Sequence, residues 1–309
     1  MSIHQQIMEQ FPMRRTPKEK EAFRQWAASF VEERGWKCVI EETSWGKHKN
    51  VIIGDPDSAA LIVSAHYDTG YDQVLPTLLV ARSWPLWILW QAGVLLLLML
   101  ISLGADMLCG ALGLTPQLRS IAFVGTFLLL LVLMMLTFPN RHNANSSTSG
   151  VAAVLQLCDT LPEEQRGKVA FILFDNAEKG FKGSKLWAKD HAELAWMRPI
   201  LHLDAIGVGD TMMVSCMDMA RRATGYGTLK RVLTETPGLR CELHDSKTML
   251  LRTDHKSFKC GMGCACFTKK KLLGCVTTRL HTHRDTRCDQ KNLDWLCAAV
   301  TTYLTEINA

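Results

Sequence analysis

Four short stretches of this chain carry residue types that bind metal ions, and each follows an apolar run. Residues 59–64 lead into His66-Tyr67-Asp68, residues 168–174 into Asp175-Asn176-Ala177-Glu178, and residues 200–203 into Asp204. Near the C-terminus, residues 272–276 precede His281-Thr282-His283-Arg284-Asp285-Thr286. Imidazole and carboxylate side chains of this kind are metal-ligand types, offering nitrogen and oxygen donors. One Asp or His after a strand commonly caps a helix or closes a turn. Four in series point to a shared site.

Such a site needs elements that bring these stretches together. In an open α/β sheet, ligands collect in the crevice at the carboxyl ends of the strands. The run 59–64 (Ala-Ala-Leu-Ile-Val-Ser) is continuous and short, as expected of a strand buried on both faces, and residues 168–174 and 200–203 read the same way. Residues 17–34 read as an amphipathic helix, with Phe23, Trp26, Ala27 and Phe30 on one face and Gly35 as its stop. Strands are expected at 37–40 and 50–53. Residues 150–158 place Val151, Val154, Leu155 and Cys158 on one helical face, Leu161-Pro162 ends that helix, and 183–189 opens another. Strands alternating with helices predict an α/β sheet covered on both faces.

The middle of the chain breaks this pattern. Residues 84–103 and 121–138 contain no formal charge, and lengths of twenty and eighteen residues approach the ~30 Å of a bilayer core. Trp84, Trp87 and Trp90 cluster at the start of the first stretch, like an interfacial aromatic belt. The second is apolar all round from Leu128 to Leu136, unlike a one-sided core helix. Between them Asp106, Gly110, Gly113, Pro116 and Arg119 are expected to form a short turn. The reading is an integral membrane protein in which residues 1–82 and 140–309 form one globular domain, split by a transmembrane hairpin at 83–139. Leu75 and Arg141 must then lie on the same side of the lipid bilayer.

Composition limits the remaining possibilities. The net charge is +5, and no basic stripe with interleaved aromatics marks a nucleic-acid partner. Lys269-Lys270-Lys271 reads as a solvated turn between apolar strands. Eleven cysteines, an odd number, follow an N-terminal stretch that lacks an apolar signal core, which suits a reducing compartment. Cys260, Cys264 and Cys266 alternate as strand positions do, and no second pair stands at zinc-finger spacing. Arg82 and Arg141 flank the hairpin, against Arg119 and Asp106 at its far turn. That bias places the globular part in the cytoplasm, at an inner or plasma membrane.

The ordered series His66-Tyr67-Asp68-Thr69, Ser149-Gly150-Val151-Ala152-Ala153, Phe174 to Gly180, Gly183-Ser184, Leu203 to Gly207, Thr253-Asp254-His255 and His281-Thr282 with Arg284-Asp285-Thr286 resembles the zinc aminopeptidase and glutaminyl cyclase family, metallopeptidase family 28. The resemblance covers nearly everything outside the hairpin. It implies a three-layer α/β fold with a mostly parallel mixed sheet and helices on both faces. It also implies zinc as cofactor, with His66 and Asp204 holding one ion, Glu178 and His281 the other, and Asp68 orienting His66. His283 stands where the family has a non-ligand residue.

Two positions depart from that pattern. Ser146 replaces the family's bridging aspartate, and Ala177 replaces its general-base glutamate. A serine is a poor zinc ligand and an alanine moves no proton, so the expected metal content is one zinc ion or none. A peptidase-like protein that binds peptide-like ligands or a membrane partner without turnover is the leading expectation. The alternative is an active metallohydrolase of aminopeptidase type, or a related acyl-transfer enzyme, with a rearranged mononuclear zinc site acting on a peptide or amide substrate. A purely structural membrane protein comes third.

Overall fold

The computed structural model describes residues 1–44, 48–73, 78–135 and 138–307. Leu75 and the end of the second apolar stretch, Leu136 and Thr137, lie outside these residues. In chain order, helices α1 (Ile3–Gln10) and α2 (Pro17–Glu32) precede strands β1 (Cys38–Glu42), β2 (Lys49–Ile53), β3 (Leu61–His66), β4 (Tyr71–Asp72) and β5 (Leu79–Val80). Next come α3 (Trp84–Ala111), α4 (Pro116–Met135), β6 (Phe138–Pro139), α5 (Ser149–Thr160), α6 (Glu163–Arg166) and β7 (Val169–Phe174). The chain continues through α7 (Lys182–Asp190), α8 (Ala192–Met197), β8 (Ile200–Leu203), β9 (Thr211–Cys216), α9 (Tyr226–Glu235) and β10 (Arg240–Asp245). It ends with β11 (Gly261–Lys270), β12 (Gly274–Thr277) and α10 (Gln290–Glu306).

Ten of these strands form one sheet, running β1-β2-β7-β3-β8-β11-β12-β5, with β9 and β10 joined through β11. The centre is parallel: β3 pairs with β7 (His66 opposite Phe174) and with β8 (Ala65 opposite Leu203), and β8 pairs with β11. The flanks are mostly antiparallel, so the sheet is mixed and mostly parallel at its core. The period of two along the strands separates the two faces. Val51, Ile53, Leu61, Val63, Phe171 and Leu173 pack under α1, α2, α5, α9 and α10, whereas Ile52, Ile62, Ile172 and Phe174 meet Trp187 and Ala195 of α7 and α8. The result is the expected three-layer α/β fold. Strands on both sides of the hairpin share this sheet, because β3 lies between β7 and β8.

The N-terminal ends of α1 and α2 are fixed by capping boxes, Ser2 with Gln5 and Thr16 with Glu19. Gly150, near the start of α5, approaches the Leu203 carbonyl so closely that a Cβ there would collide with it. That contact brings the loop before α5 to the carboxyl ends of β3 and β8.

Both apolar stretches are helices long and apolar enough to cross a membrane, packed side by side. Their side chains are largely exposed, Leu98 and Ser102 being the buried exceptions on α3. The expected turn is shorter than the sequence suggested. Asp106 and Gly110 continue α3 and Arg119 lies inside α4, with the reversal confined to residues 112–115. The physical reason is an ion pair, Arg119 Nη2 to Asp106 Oδ2 at 2.7 Å, which lets both charges sit on helices. Gly113 at φ 73° and Pro116 opening α4 then complete the reversal.

The lysine run also departs from expectation. Lys269 and Lys270 end β11, opposite Cys275 and Gly274, and the turn falls on Lys271, Leu272 and Leu273. Gly274 at φ 72° takes the left-handed backbone this tight reversal needs, so Leu272 is left exposed rather than placed in a strand.

Candidate metal and ligand site

The carboxyl ends of β3, β7 and β8 meet at one edge of the sheet, and the four expected ligands converge there in two pairs. His66 Nε2 lies 3.8 Å from Asp204 Oδ1, and His281 Nδ1 lies 3.6 Å from Glu178 Oε1. Two ligands at ~2.0–2.1 Å from a tetrahedral zinc stand roughly 3.3–3.4 Å apart, so each pair is close to the span of one ion. Three backbones at this edge adopt left-handed conformations unusual for side-chain-bearing residues: Asn176 (φ 53°), Ala205 (φ 51°) and His281 itself (φ 57°). Ala205 adjoins Asp204, His281 is itself an expected ligand, Asn176 lies two residues before Glu178, and a fourth such residue, Phe181 (φ 61°), lies three residues after it. Strain concentrated in this way marks a constrained site.

Asp68 links the two pairs. His66 Nδ1 lies 3.1 Å from the Asp68 carbonyl and 3.4 Å from its carboxylate, while that carboxylate accepts hydrogen bonds from the amides of Ala177 (2.9 Å) and Glu178 (3.1 Å). Burial works against the His66 cation, but Asp204 and Asp68 outweigh it and raise its pKa well above the ordinary value. Burial also pushes Asp68 upward, yet His66 and Lys20 hold it below the usual carboxylate range. Burial raises Glu178, partly offset by His281 and His66. Gly70 makes room for it: a Cβ there would stand 2.7 Å from Glu178 Oε1.

The two departures can now be placed. Asp285 receives the amides of Asn145 and Ser146, both at 2.9 Å, and Asn145 Oδ1 receives the amide of Gly207 at 2.6 Å. The loop is therefore firmly built, but the Ser146 hydroxyl lies against Asp285 without hydrogen-bond geometry and stays buried with no partner. Ala177 is buried and offers only its amide, already held by Asp68. Among the described residues no group of three or more His, Cys, Asp or Glu side chains is spaced to hold a metal. Each pair offers two donors near the span of one ion, and at Ser146, where the family resemblance puts a bridging aspartate, the chain supplies only a neutral hydroxyl.

Several residues here had no local signal in the sequence. Arg14 is fully buried and donates to the carbonyls of Tyr67 (2.5 Å), Phe11 (2.7 Å) and Ser147 (3.2 Å) and to Thr148 Oγ1 (3.0 Å). Lys20 pairs with Asp175 at 2.6 Å, behind the Ala177–Glu178 turn. Behind His66, His202 Nε2 faces Asp254 Oδ2 at 3.5 Å with both residues buried, and burial pushes Asp254 up to about 7. Asp254 belongs to the quoted Thr253-Asp254-His255 series, so its type was visible but its partner was not. Cys260, Cys264 and Cys266 are buried and unpaired, and the last two lie in β11.

Comparison with known proteins agrees with this fold. Solved structures that superpose on the chain include the glutaminyl cyclase of Porphyromonas gingivalis, with a TM-score of 0.59 at 15% identity over 99% of this chain and 97% of that one. A Zn-dependent exopeptidase from Parabacteroides distasonis gives 0.58 at 15% identity, over 99% and 96%. The LapA aminopeptidase of Legionella pneumophila gives 0.59 at 11% identity, over 98% and 69%. At these identities the likeness establishes the fold. No curated protein matches the sequence. The model of peptidase family M28 matches residues 137–300, which include Glu178, Asp204 and His281, and the sheet register adds His66 from outside that range. With more than half its length matched, the chain belongs to peptidase family M28.

Proposed function

We propose that this protein is a membrane-anchored, peptidase-like binding protein that holds at most one zinc ion and does not turn over amide bonds. The observation that carries this reading is the donor count: two protein ligands at each half-site, with a hydroxyl and a methyl at the two positions on which bridged-zinc hydrolysis depends. His66, kept in place by Asp68, and Glu178, seated against Gly70, would hold an ion together with Asp204 or His281. Such an ion would supply Lewis acidity to an amide carbonyl. The protein's own groups hold and orient a polar head there, and none of them occupies the general-base position.

A mononuclear metallohydrolase or acyl-transfer enzyme is the second reading. Preservation of both pairs near metal spacing favours it.

Metal analysis of the detergent-purified full chain separates the two. We expect one equivalent of zinc or less, removed by mild chelation, and no release of amine from aminoacyl amides. Two tightly held equivalents with turnover would overturn the proposal.

The anchor is the α3–α4 hairpin, whose exposed leucines favour lipid. The globular part is assigned to the cytoplasmic side by two features. Arg82 and Arg141 flank the hairpin, whereas Arg119 is already paired with Asp106. The eleven thiols are unpaired, as in a reducing compartment. An impermeant maleimide applied to intact cells is expected to label Cys109 at the hairpin tip. Cys38 makes a poor inner reporter, because burial and Glu32 push its thiol up to about 11. Leu272→Cys, on an exposed turn, should react only after permeabilisation. Labelling of Leu272→Cys but not Cys109 in intact cells would reverse the orientation.

A further inference from the structure

A cavity of about 510 Å³ opens beside Asp204 and His281. Its lining combines buried Phe267 and Leu280 with Leu250 and Leu251 in a mostly apolar wall, and polar Gln73 and Thr277 join Asp204 and His281. The exposed part of the lining includes Arg252 and Trp87, and Trp87 belongs to the first turn of α3.

That wall is fixed in place. Leu86 and Trp90 of α3 pack on Leu78, Val80 and Val276, with Leu250 in the same cluster, and β5 pairs with β12 just before the hairpin. The base of the hairpin and the wall of the cavity are therefore one packed unit. If α3 crosses a bilayer, its belt of Trp84, Trp87 and Trp90 marks the membrane surface, and the exposed edge of the cavity lies at that surface. The volume is within the roughly 300–1,000 Å³ typical of ligand pockets. A tail passing from lipid into this cavity exchanges one apolar medium for another, so entry from the bilayer requires no exposure of the tail to water. Arg252 at the rim makes no ion pair among the described residues, which leaves a cation available to an anionic group.

We propose that this cavity takes the acyl chain of a bilayer-borne N-acyl amino acid or N-acyl peptide, with its amide at Asp204 and His281 and its carboxylate at Arg252. The inference rests on reading the site as a binding site and the hairpin as membrane-spanning. It names the ligand class that such a site would accept.

Photolabelling of the full chain in phospholipid nanodiscs tests it, using N-palmitoylglycine with a diazirine in the tail. Mass spectrometry should find label on Leu250, Leu251 and residues 265–267. Unlabelled N-palmitoylglycine should displace it, and N-acetylglycine should not. Trp87→Glu should lower cavity labelling by roughly tenfold or more, as loss of an aromatic anchor does, with zinc content unchanged. Because that variant could disturb insertion, Arg252→Gln provides a second arm. It should weaken displacement by N-palmitoylglycine and leave displacement by neutral N-palmitoylglycinamide unchanged. Label confined to α3 and α4, or equal displacement by N-acetylglycine, would overturn the inference. Cavity labelling in protein that holds two tightly bound zinc ions and turns over amide bonds would leave it standing and overturn the proposed function.

Discussion

Zinc content is expected to rise to two ions when Ser146→Asp and Ala177→Glu are combined. Two divalent ions ~3.5–4 Å apart repel by roughly 17–19 kcal/mol at an effective dielectric of 20, so a second ion needs a bridging anion. The loop is already built to present one. The Ser146 amide is held by Asp285, Asn145 is tied to Gly207, and the Ser146 hydroxyl is a buried polar atom without a partner. An aspartate there would stand beside Asp285, so the metal-free double variant should be less stable than the parent. Zinc should reverse the order, adding about 4 kcal/mol at a free concentration a thousand times the Kd. The single variants should separate the roles: Ser146→Asp alone should gain the ion and little turnover, and Ala177→Glu alone should gain neither. Together they should produce measurable aminoacyl-amide hydrolysis, because a positioned general base contributes about 10²–10⁴ in rate. Zinc content by elemental analysis and a zinc-dependent rise in unfolding temperature are the readouts. An unchanged zinc count would mean that residue 146 is not the bridging position.

Much of the fold could be read because β3, β7 and β8 are short apolar runs that each end in a donor residue. Burial on both faces leaves such strands no polar alternation to hide in, and the ligands fall at their exits. The hairpin was equally plain, since its leucines have no polar face. What stayed hidden depends on contacts between distant residues. Asp106 looked like a turn residue until Arg119, on the other helix, neutralised it. Leu272 and Leu273 looked like strand residues, but the turn geometry at Gly274 placed them outside the sheet. The site showed the same division. Donor types were legible, whereas Ser64 against His202, and His202 against Asp254, exist only through packing. Arg14 is the extreme case, a cation in a polar N-terminal segment with no neighbouring pattern to indicate burial.

Arg14→Ala is expected to cost about 3–5 kcal/mol of stability, because several buried hydrogen bonds to a charged group are lost together and the site relaxes only in part. Its guanidinium serves three carbonyls and a hydroxyl from three separate segments: Phe11, Tyr67, and Ser147 with Thr148. Truncation leaves those acceptors buried, each unmade bond costing about 1–3 kcal/mol before relaxation, and opens a void beside Phe23, whose ring lies 5.3 Å from the guanidinium. Burial draws the Arg14 pKa down to about 9 while Asp68 draws it back up, so the group remains charged at neutral pH. Arg14→Lys keeps the charge but has no planar fork to reach acceptors in several directions, and should recover less than half the loss. It also separates stability from site geometry. Arg14 is the only described residue bonded both to the strand exit at Tyr67 and to the loop at Ser147–Thr148, so a folded Arg14→Lys protein should bind zinc more weakly and exchange its 143–148 amides faster. Denaturant unfolding in detergent with hydrogen exchange reads both effects. If Arg14→Ala stays within about 1 kcal/mol of the parent, a surface-like effect, the guanidinium does not hold the loop and the rigid placement of Ser146 has another origin.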